Sequence, residues 1–197
     1  MPMVPGETEP SVGQGVDLRE HDRHVLEFLS QDPSSQVAFQ GIRRRLGIHP
    51  EQLSRALHRL ADDGLVERTE HGYRATARAL TVLGPDALTR TPEGLTVLET
   101  YLPADVEVRS LVGALQGRWF GPLRWFGFSQ DEGELRLWWS TEDNGIQLEV
   151  RLHEGTLRIV AHLASSNRLD EAARHAYLLF EHLSRELSRG LYSGLIG

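Results

Sequence analysis

The sequence of 197 residues contains no cysteine and no lysine. Without cysteine the chain can form neither disulfides nor thiolate zinc sites, and its redox compartment stays undetermined. Without lysine it forms no Schiff base and has no P-loop lysine, so all 21 basic residues are arginine. No apolar run approaches the roughly 20 residues that span a bilayer, and the first residues lack the basic and apolar regions of a signal peptide. We therefore expect a cytoplasmic protein with no membrane span.

Sequence motifs for catalysis are also absent. We find no G-x-S-x-G elbow, no H-E-x-x-H motif and no glycine-rich phosphate loop. His21 and His24 share a predicted helix face, but a histidine pair without a third ligand is weak evidence for a metal ion. We therefore expect no catalytic residue, no metal site and no cofactor, and a protein that is not an enzyme.

Charge is distributed unevenly along the chain. The formal net charge is −7, which taken alone argues against a nucleic-acid binder. Residues 36–90, however, hold nine arginines and six acidic residues, so this segment is positive and the rest of the chain is strongly negative. Hydrophobic residues make up 40% and charged residues 25%, as in ordinary globular proteins. The composition thus predicts a folded protein with one basic face.

A disordered tail and a helix are predicted at the start of the chain. Residues 1–16 show no periodicity and are rich in proline, glycine, glutamate and serine, a composition typical of disorder. Asp17 has the character of a helix N-cap, with Glu20 three residues later as its capping-box partner. Apolar residues then recur at helical spacing until Asp32-Pro33 ends the helix.

Two more helices and a β-hairpin are predicted next, separated by residues that favour turns. The expected elements are a strand at 36–38, a helix at 39–46, a helix that begins at Pro50, and strands at 65–69 and 73–76. Gly47 ends the second helix as a left-handed residue, and Gly64 ends the third. Helix, short strand, helix, tight turn, helix and hairpin is the order of a winged helix, and no other common small module has this order.

Specific runs within these elements resemble the winged helix-turn-helix regulators of the MarR and ArsR type. The runs are Arg45-Leu46-Gly47-Ile48, the third helix from Pro50 to Leu60, and Asp63-Gly64-Leu65-Val66-Glu67-Arg68. Thr91-Pro92-Glu93-Gly94 is similar to residues that often follow the wing in MarR-like chains. The resemblance implies a winged-helix DNA-binding domain at 17–103, a role in transcription regulation and double-stranded DNA as the partner. The stretch 77–90 departs from it, since it is longer than a plain connection after the wing.

Polar side chains on this scaffold are the candidate DNA contacts. Gln52 and Arg55 lie on the outward face of the third helix, where glutamine pairs with adenine and arginine with guanine. The other candidates are expected to reach phosphates or the minor groove. The full set is Arg43, Arg44, Arg45, Gln52, Ser54, Arg55, His58, Arg59, Arg68, His71 and Arg74. Each is also explained as a solvated surface residue, and a winged helix also serves as a protein-interaction module without DNA binding.

The segment between the two halves has a weaker pattern. The apolar residues at 80–83 are compatible with a further strand. Thr91 as an N-cap and Pro92 at the first helical position then predict a short helix that continues to Leu102. We place the boundary of the first domain at residue 103, where Pro103 ends this helix.

The second half is predicted to be an α+β layer. Alternating apolar and polar residues indicate four strands joined by hairpin turns, at 123–129, 134–140, 146–153 and 156–163. A helix at 106–115 precedes them, and an amphipathic helix at 170–188 covers their apolar face. The predicted fold class is therefore α+β, with an N-terminal winged helix-turn-helix and, at 104–197, a four-stranded antiparallel meander covered by helices.

Aromatic residues are concentrated in this second half, which holds all four tryptophans. Trp119, Trp125 and Trp138 are candidates for an interface or a ligand pocket, and a core around the sheet is the alternative explanation. If Leu137 and Trp139 face the core, Trp138 faces outward, as at a dimer interface. The topology is similar to that of small dimeric domains of the secretion-chaperone and YbjN type. We expect a homodimer, with a small-molecule or protein effector at the C-terminal domain.

Overall fold

The computed structural model describes residues 18–84, 94–102, 108–131 and 133–193. The predicted tail at 1–16, the residue Asp17, the helix-opening pair at 91–92 and the boundary at 103 lie outside these ranges. Within them, no helix combines the length and the hydropathy that crossing a bilayer requires.

The winged helix forms in the order that the sequence predicts. Its elements are α1 (Glu20–Ser30), β1 (Ser35–Val37), α2 (Phe39–Leu46), α3 (Pro50–Asp62), β2 (Val66–Thr69), β3 (Gly72–Ala75) and α4 (Ala77–Leu83). Gly47 ends α2 with a φ of 64°, a left-handed conformation that glycine adopts without strain, so the chain turns directly into α3. The predicted capping box of α1 is wrong, because the N-cap is Arg19 and its side chain makes no capping hydrogen bond.

The second half contains the predicted meander. Its elements are β4 (Leu95–Tyr101), α5 (Val108–Leu115), β5 (Leu123–Asp131), β6 (Glu134–Thr141), β7 (Ile146–His153), β8 (Thr156–Leu163) and α6 (Leu169–Ser193). Strands β5, β6, β7 and β8 pair in succession and antiparallel. The α+β fold class is therefore confirmed, with a winged helix followed by a helix-covered antiparallel meander.

One antiparallel sheet of eight strands joins the two halves in the described part of the chain, in the order β2-β3-β1-β5-β6-β7-β8-β4. The junction is β1, where Val37 pairs with Tyr73 of the wing on one side and with Gly127 of β5 on the other. A Cβ at position 127 would overlap the carbonyl oxygen of Gln36, so this close approach requires glycine. The meander is thus a continuation of the wing sheet. The division of the chain into two domains at residue 103 stays a prediction.

Both faces of the sheet carry a hydrophobic core. On one face α5 and α6 cover the meander, and Leu137 and Trp139 lie in that core. On the other face Phe126 and Trp138 join the core of the winged helix. Trp138 points away from Trp139, as the alternation predicts, but the expectation that it faces outward is wrong, since its side chain is only 8% exposed. The winged helix packs on this face and covers the tryptophan.

Residues 77–83 form the helix α4, so the expectation of a further strand there is wrong. The side-chain oxygen of Thr76 caps the helix by accepting a hydrogen bond from the backbone nitrogen of Ala79, at 3.4 Å. A threonine cap followed by a short helical turn outweighs the β-propensity of the branched residues at 81 and 82.

Residues 95–101 form the strand β4, so the short helix expected there is also wrong. The strand pairs with β8 at the edge of the sheet, and a β-bulge interrupts its register between Thr96 and Leu98. A bulge inserts one extra residue and shifts the alternation of faces. Leu95 and Leu98 therefore share a face at a spacing of three, which mimics a helix.

Candidate nucleic-acid interface

The outward face of α3 carries a row of exposed polar side chains. Gln52, Arg55 and His58 are exposed, whereas Leu53, Ala56, Leu57 and Leu60 of the same helix are buried. Arg55 lies 3.6 Å from Glu51, but both side chains are exposed, and such i,i+4 pairs contribute only about 0.3–0.5 kcal/mol. The Arg55 guanidinium can therefore exchange this pair for another partner at little cost.

Arg59, at the other end of the same helix, is bound to α1. Its Nε and Nη2 atoms donate to the two carboxylate oxygens of Asp22, at 2.9 and 2.6 Å. Asp22 is 4% exposed, so the pair lies at the packing surface between α1 and α3. The hydrogen bonds to Asp22 raise the pKa of Arg59 above its ordinary value. The structure thus gives this residue, a predicted DNA contact, a role in joining two helices.

The three arginines at the end of α2 have different surroundings. Arg44 Nη2 donates to the backbone carbonyl of Trp125 at 2.9 Å, and Asn144 donates to the backbone carbonyl of Arg44. Burial lowers the pKa of the Arg44 guanidinium. Arg45 is exposed and lines a cleft against the sheet, while Arg43 is half-buried. Arg44 therefore holds α2 against β5, and Arg45 faces the second half of the chain.

In the wing, the side chain of Arg68 lies at the surface and the side chain of His71 packs against the sheet. Arg68 is exposed, and no ion pair or hydrogen bond of its side chain occurs within the described ranges. Arg74 is paired across the hairpin with Glu67 at 2.7 Å. The ring of His71 packs edge-on against Phe128 of β5, with ring centroids 5.1 Å apart. Of the predicted wing contacts, Arg68 and Arg74 lie at the surface, and His71 contributes to the junction of the sheet.

The three candidate tryptophans lie in three different environments. Trp119 is 66% exposed, and the Arg124 guanidinium stacks over its ring at 4.2 Å. Trp125 is buried beside Trp139 in the core under α5 and α6. Trp138 lies in the core of the winged helix. The structure thus does not bring the three together, and only Trp119 is available at the surface.

A polar cluster around the buried Glu149 lies on the sheet face that the winged helix covers. Glu149 of β7 accepts hydrogen bonds from Arg151, at 2.9 and 3.0 Å, and from His162 of β8, at 2.9 Å. Burial alone would raise the pKa of Glu149, yet the bonds from His162 and Arg151 hold it below its ordinary value. The alternation of apolar and polar residues in β7 puts Glu149 and Arg151 on the same face, but it does not predict the cluster. The sequence feature that could have revealed the cluster is the pair Glu149 and Arg151, two positions apart on β7, with His162 at a neighbouring position of β8.

Replacing Glu149 by glutamine is expected to remove part of the acid sensitivity of the fold. Because the folded-state pKa of Glu149 is depressed, its carboxylate stabilises the fold above about pH 4.3 and loses this effect as the pH falls further. In urea unfolding between about pH 7 and pH 3, the wild type should be more stable than Glu149→Gln at neutral pH, with the gap closing in acid. A gap that is constant over this range would contradict the assignment.

The order and packing of the seven elements from α1 to α4 define a winged helix-turn-helix. The elements from β4 to α6 form an α+β layer that shares its sheet with this winged helix. Residues 15–74 match the family model of the MarR family. The N-terminal region is therefore similar to the winged helix of the MarR family, a family of transcription regulators. The match covers less than a third of the chain and ends before the meander begins. No curated protein sequence matches the chain.

Proposed function

We propose that this protein is a sequence-specific DNA-binding transcription regulator in which α3 reads the major groove and the wing contacts the phosphate backbone. The observation that carries the proposal is the exposed row of Gln52, Arg55 and His58 on α3. The described part of the second half packs against α1, α2 and β1 and leaves this row uncovered. The match to a regulator family supports the same reading.

The proposed contacts follow from side-chain geometry. Gln52 can bind adenine and Arg55 guanine in a bidentate manner, each worth about 1–3 kcal/mol of discrimination. Arg68 and Arg74 of the wing carry donors suited to phosphate oxygens, and Arg43 adds a cation at the end of α2. Arg44, Arg59 and His71 are held by partners in the packed interior, so they support the fold around the interface rather than contact DNA. The Arg74–Glu67 pair, by contrast, is exposed, so Arg74 can exchange its partner for a phosphate.

We further propose that the protein acts in the cytoplasm as a homodimer that forms through the second half of the chain. A two-fold dimer places two recognition helices about 34 Å apart, or a multiple of this distance, so its operator is an inverted repeat. Contacts from arginine to phosphate release counterions, so the affinity falls steeply as the salt concentration rises.

Selection from a pool of random duplex DNA tests this function directly. The wild type should enrich an inverted repeat, and Arg55→Ala should weaken binding to it by at least about tenfold, because one bidentate base contact is lost. Arg185→Ala is the matched control, since Arg185 is an exposed arginine on α6, far along the chain from α3. An enriched site without inverted symmetry would contradict the homodimer but still support sequence-specific DNA binding. Equal losses in both variants would contradict the role of α3.

A second candidate function is a winged-helix module that binds another protein. The net charge of −7 and the position of Glu51 beside Arg55 favour this reading, since both reduce the attraction to DNA. If no duplex is enriched at low salt, this second function replaces the first.

A further inference from the structure

Two adjoining cavities form a cleft between the winged helix and the sheet. The first, the aromatic lobe, has a volume of about 170 Å³ and is walled by Phe28, Phe126 and Trp138. The second, the aliphatic lobe, has a volume of about 540 Å³ and is walled by Leu95, Leu163 and Leu169. Arg45, Gln147 and His162 line both lobes and therefore mark the place where the lobes meet.

The aliphatic lobe has apolar walls that the described part of the protein does not cover. Leu95 is 51% exposed and Leu169 is 37% exposed, and both belong to the few large apolar side chains at the surface of the described part of the chain. Apolar side chains around a concave surface are typical of ligand sites. The volume of this lobe also falls within the range of about 300–1,000 Å³ that such sites occupy, whereas the aromatic lobe is smaller.

Arg45 supplies a cation at the junction of the lobes. Within the described ranges, no ion pair or hydrogen bond involves its side chain. The other charged groups nearby are already paired, since Arg136 binds Asp32 at 3.3 Å and Arg151 binds Glu149 at 2.9 Å. The planar guanidinium of arginine binds a carboxylate with two parallel hydrogen bonds. Among the described residues around the junction, Arg45 is therefore the available partner for a negatively charged group.

We propose that this cleft binds an aliphatic carboxylate, with the carboxylate on Arg45 and the hydrocarbon chain in the aliphatic lobe. Binding itself requires no DNA. Its regulatory consequence rests on the proposed function: the ligand neutralises a cation on α2, the helix that precedes the recognition helix, and so lowers the affinity for DNA.

Calorimetric titration of the full chain with decanoate tests the site. Decanoate should bind saturably at one site per chain. Decanol has the same hydrocarbon chain without the charge, and acetate has the charge without the chain, so each should bind at least about tenfold more weakly. Decanol binding as tightly as decanoate would overturn the role of Arg45, and an absence of saturable decanoate binding would overturn the site.

Two variants assign the carboxylate contact. Arg45→Gln retains much of the side chain but removes the charge, and it should weaken decanoate binding at least about tenfold. The control Arg185→Gln makes the same change on α6 and should bind decanoate like the wild type. Thermal unfolding of each variant, compared with the wild type, establishes that the fold is intact. Equal decanoate affinity in Arg45→Gln and the wild type would overturn the proposal.

A DNA-binding titration with and without decanoate separates this site from the proposed function. Decanoate should raise the Kd of the wild type for its selected duplex several-fold and leave that of Arg45→Gln unchanged. Decanoate binding without any DNA binding would support the site and contradict the regulator. A wild-type Kd for DNA that decanoate leaves unchanged would overturn the regulatory consequence.

Discussion

Replacing Trp138 by alanine should lower the free energy of unfolding by about 3–5 kcal/mol, the usual cost of removing a buried tryptophan. The side chain belongs to a strand of the meander but is buried in the core of the winged helix. The cavity left behind would therefore lie between the two halves of the chain. Urea unfolding, followed by circular dichroism, measures the loss, and the transition should remain a single one because the halves share a sheet and this core.

Trp119→Ala is the matched control for this experiment. Trp119 is also a tryptophan of the second half, but it is 66% exposed and contacts Arg124 by stacking at 4.2 Å. Its loss should cost about 0.5–1 kcal/mol, the contribution of an exposed cation–π pair. Similar losses in the two variants would contradict the packing of the winged helix on Trp138. Two separate transitions in the wild type would contradict the shared core.

Replacing Arg59 by alanine should lower the free energy of unfolding by about 3 kcal/mol, which is the lower end of the usual cost of breaking a buried ion pair. The change leaves the Asp22 carboxylate, 4% exposed, without the guanidinium that holds it at 2.6 Å. We expect the lower end of this range because the Arg59 side chain is 34% exposed, so water can reach the site and partly solvate the Asp22 carboxylate when the guanidinium is removed. The double variant Asp22→Ala/Arg59→Ala should recover part of the loss, because no buried charge then remains unpaired.

Arg55→Ala is the matched control, four residues earlier on the same helix. Arg55 is exposed and weakly paired, so its loss should change stability by less than about 0.5 kcal/mol while reducing DNA binding. The two variants thus separate stability from recognition on one helix. If Arg59→Ala were as stable as the wild type and lost DNA binding, Arg59 would be a DNA contact, as its sequence position first indicated.

Local patterns in the sequence predicted most of the secondary structure correctly. Helix α2 and the strands β7 and β8 have the predicted bounds. Gly47 ends the helix, and apolar and polar residues alternate throughout β7 and, except at Val160, throughout β8. The error at β4 occurs where a tertiary contact decides the outcome. Strand β4 contains a bulge that its pairing with β8 stabilises, and no local pattern in residues 95–101 distinguishes this bulge from helical spacing.

The sequence likewise predicts one part of the candidate interface and leaves another part to tertiary contacts. Amphipathic periodicity predicts that Gln52, Arg55 and His58 lie outward on α3, and the structure has them exposed. It cannot reveal which outward positions another element covers. Arg59 meets Asp22 across 37 residues of sequence, and Arg44 meets the carbonyl of Trp125 across 81. Such contacts depend on how the elements pack, which the helical period alone does not contain.

The sequence by itself determined a winged helix followed by a helix-covered antiparallel meander, because capping residues, glycine turns and apolar periodicity act over short distances. Only the tertiary structure decided that the two are one sheet, through the pairing of β1 with β5 at Gly127. This pairing lays the winged helix over the second face of the meander, where Trp138 and Glu149 become buried and Arg45 lines a cleft. Alternation along a strand separates its side chains into two faces, but it does not determine which face is exposed to solvent. That depends on which other elements of the fold pack against each face.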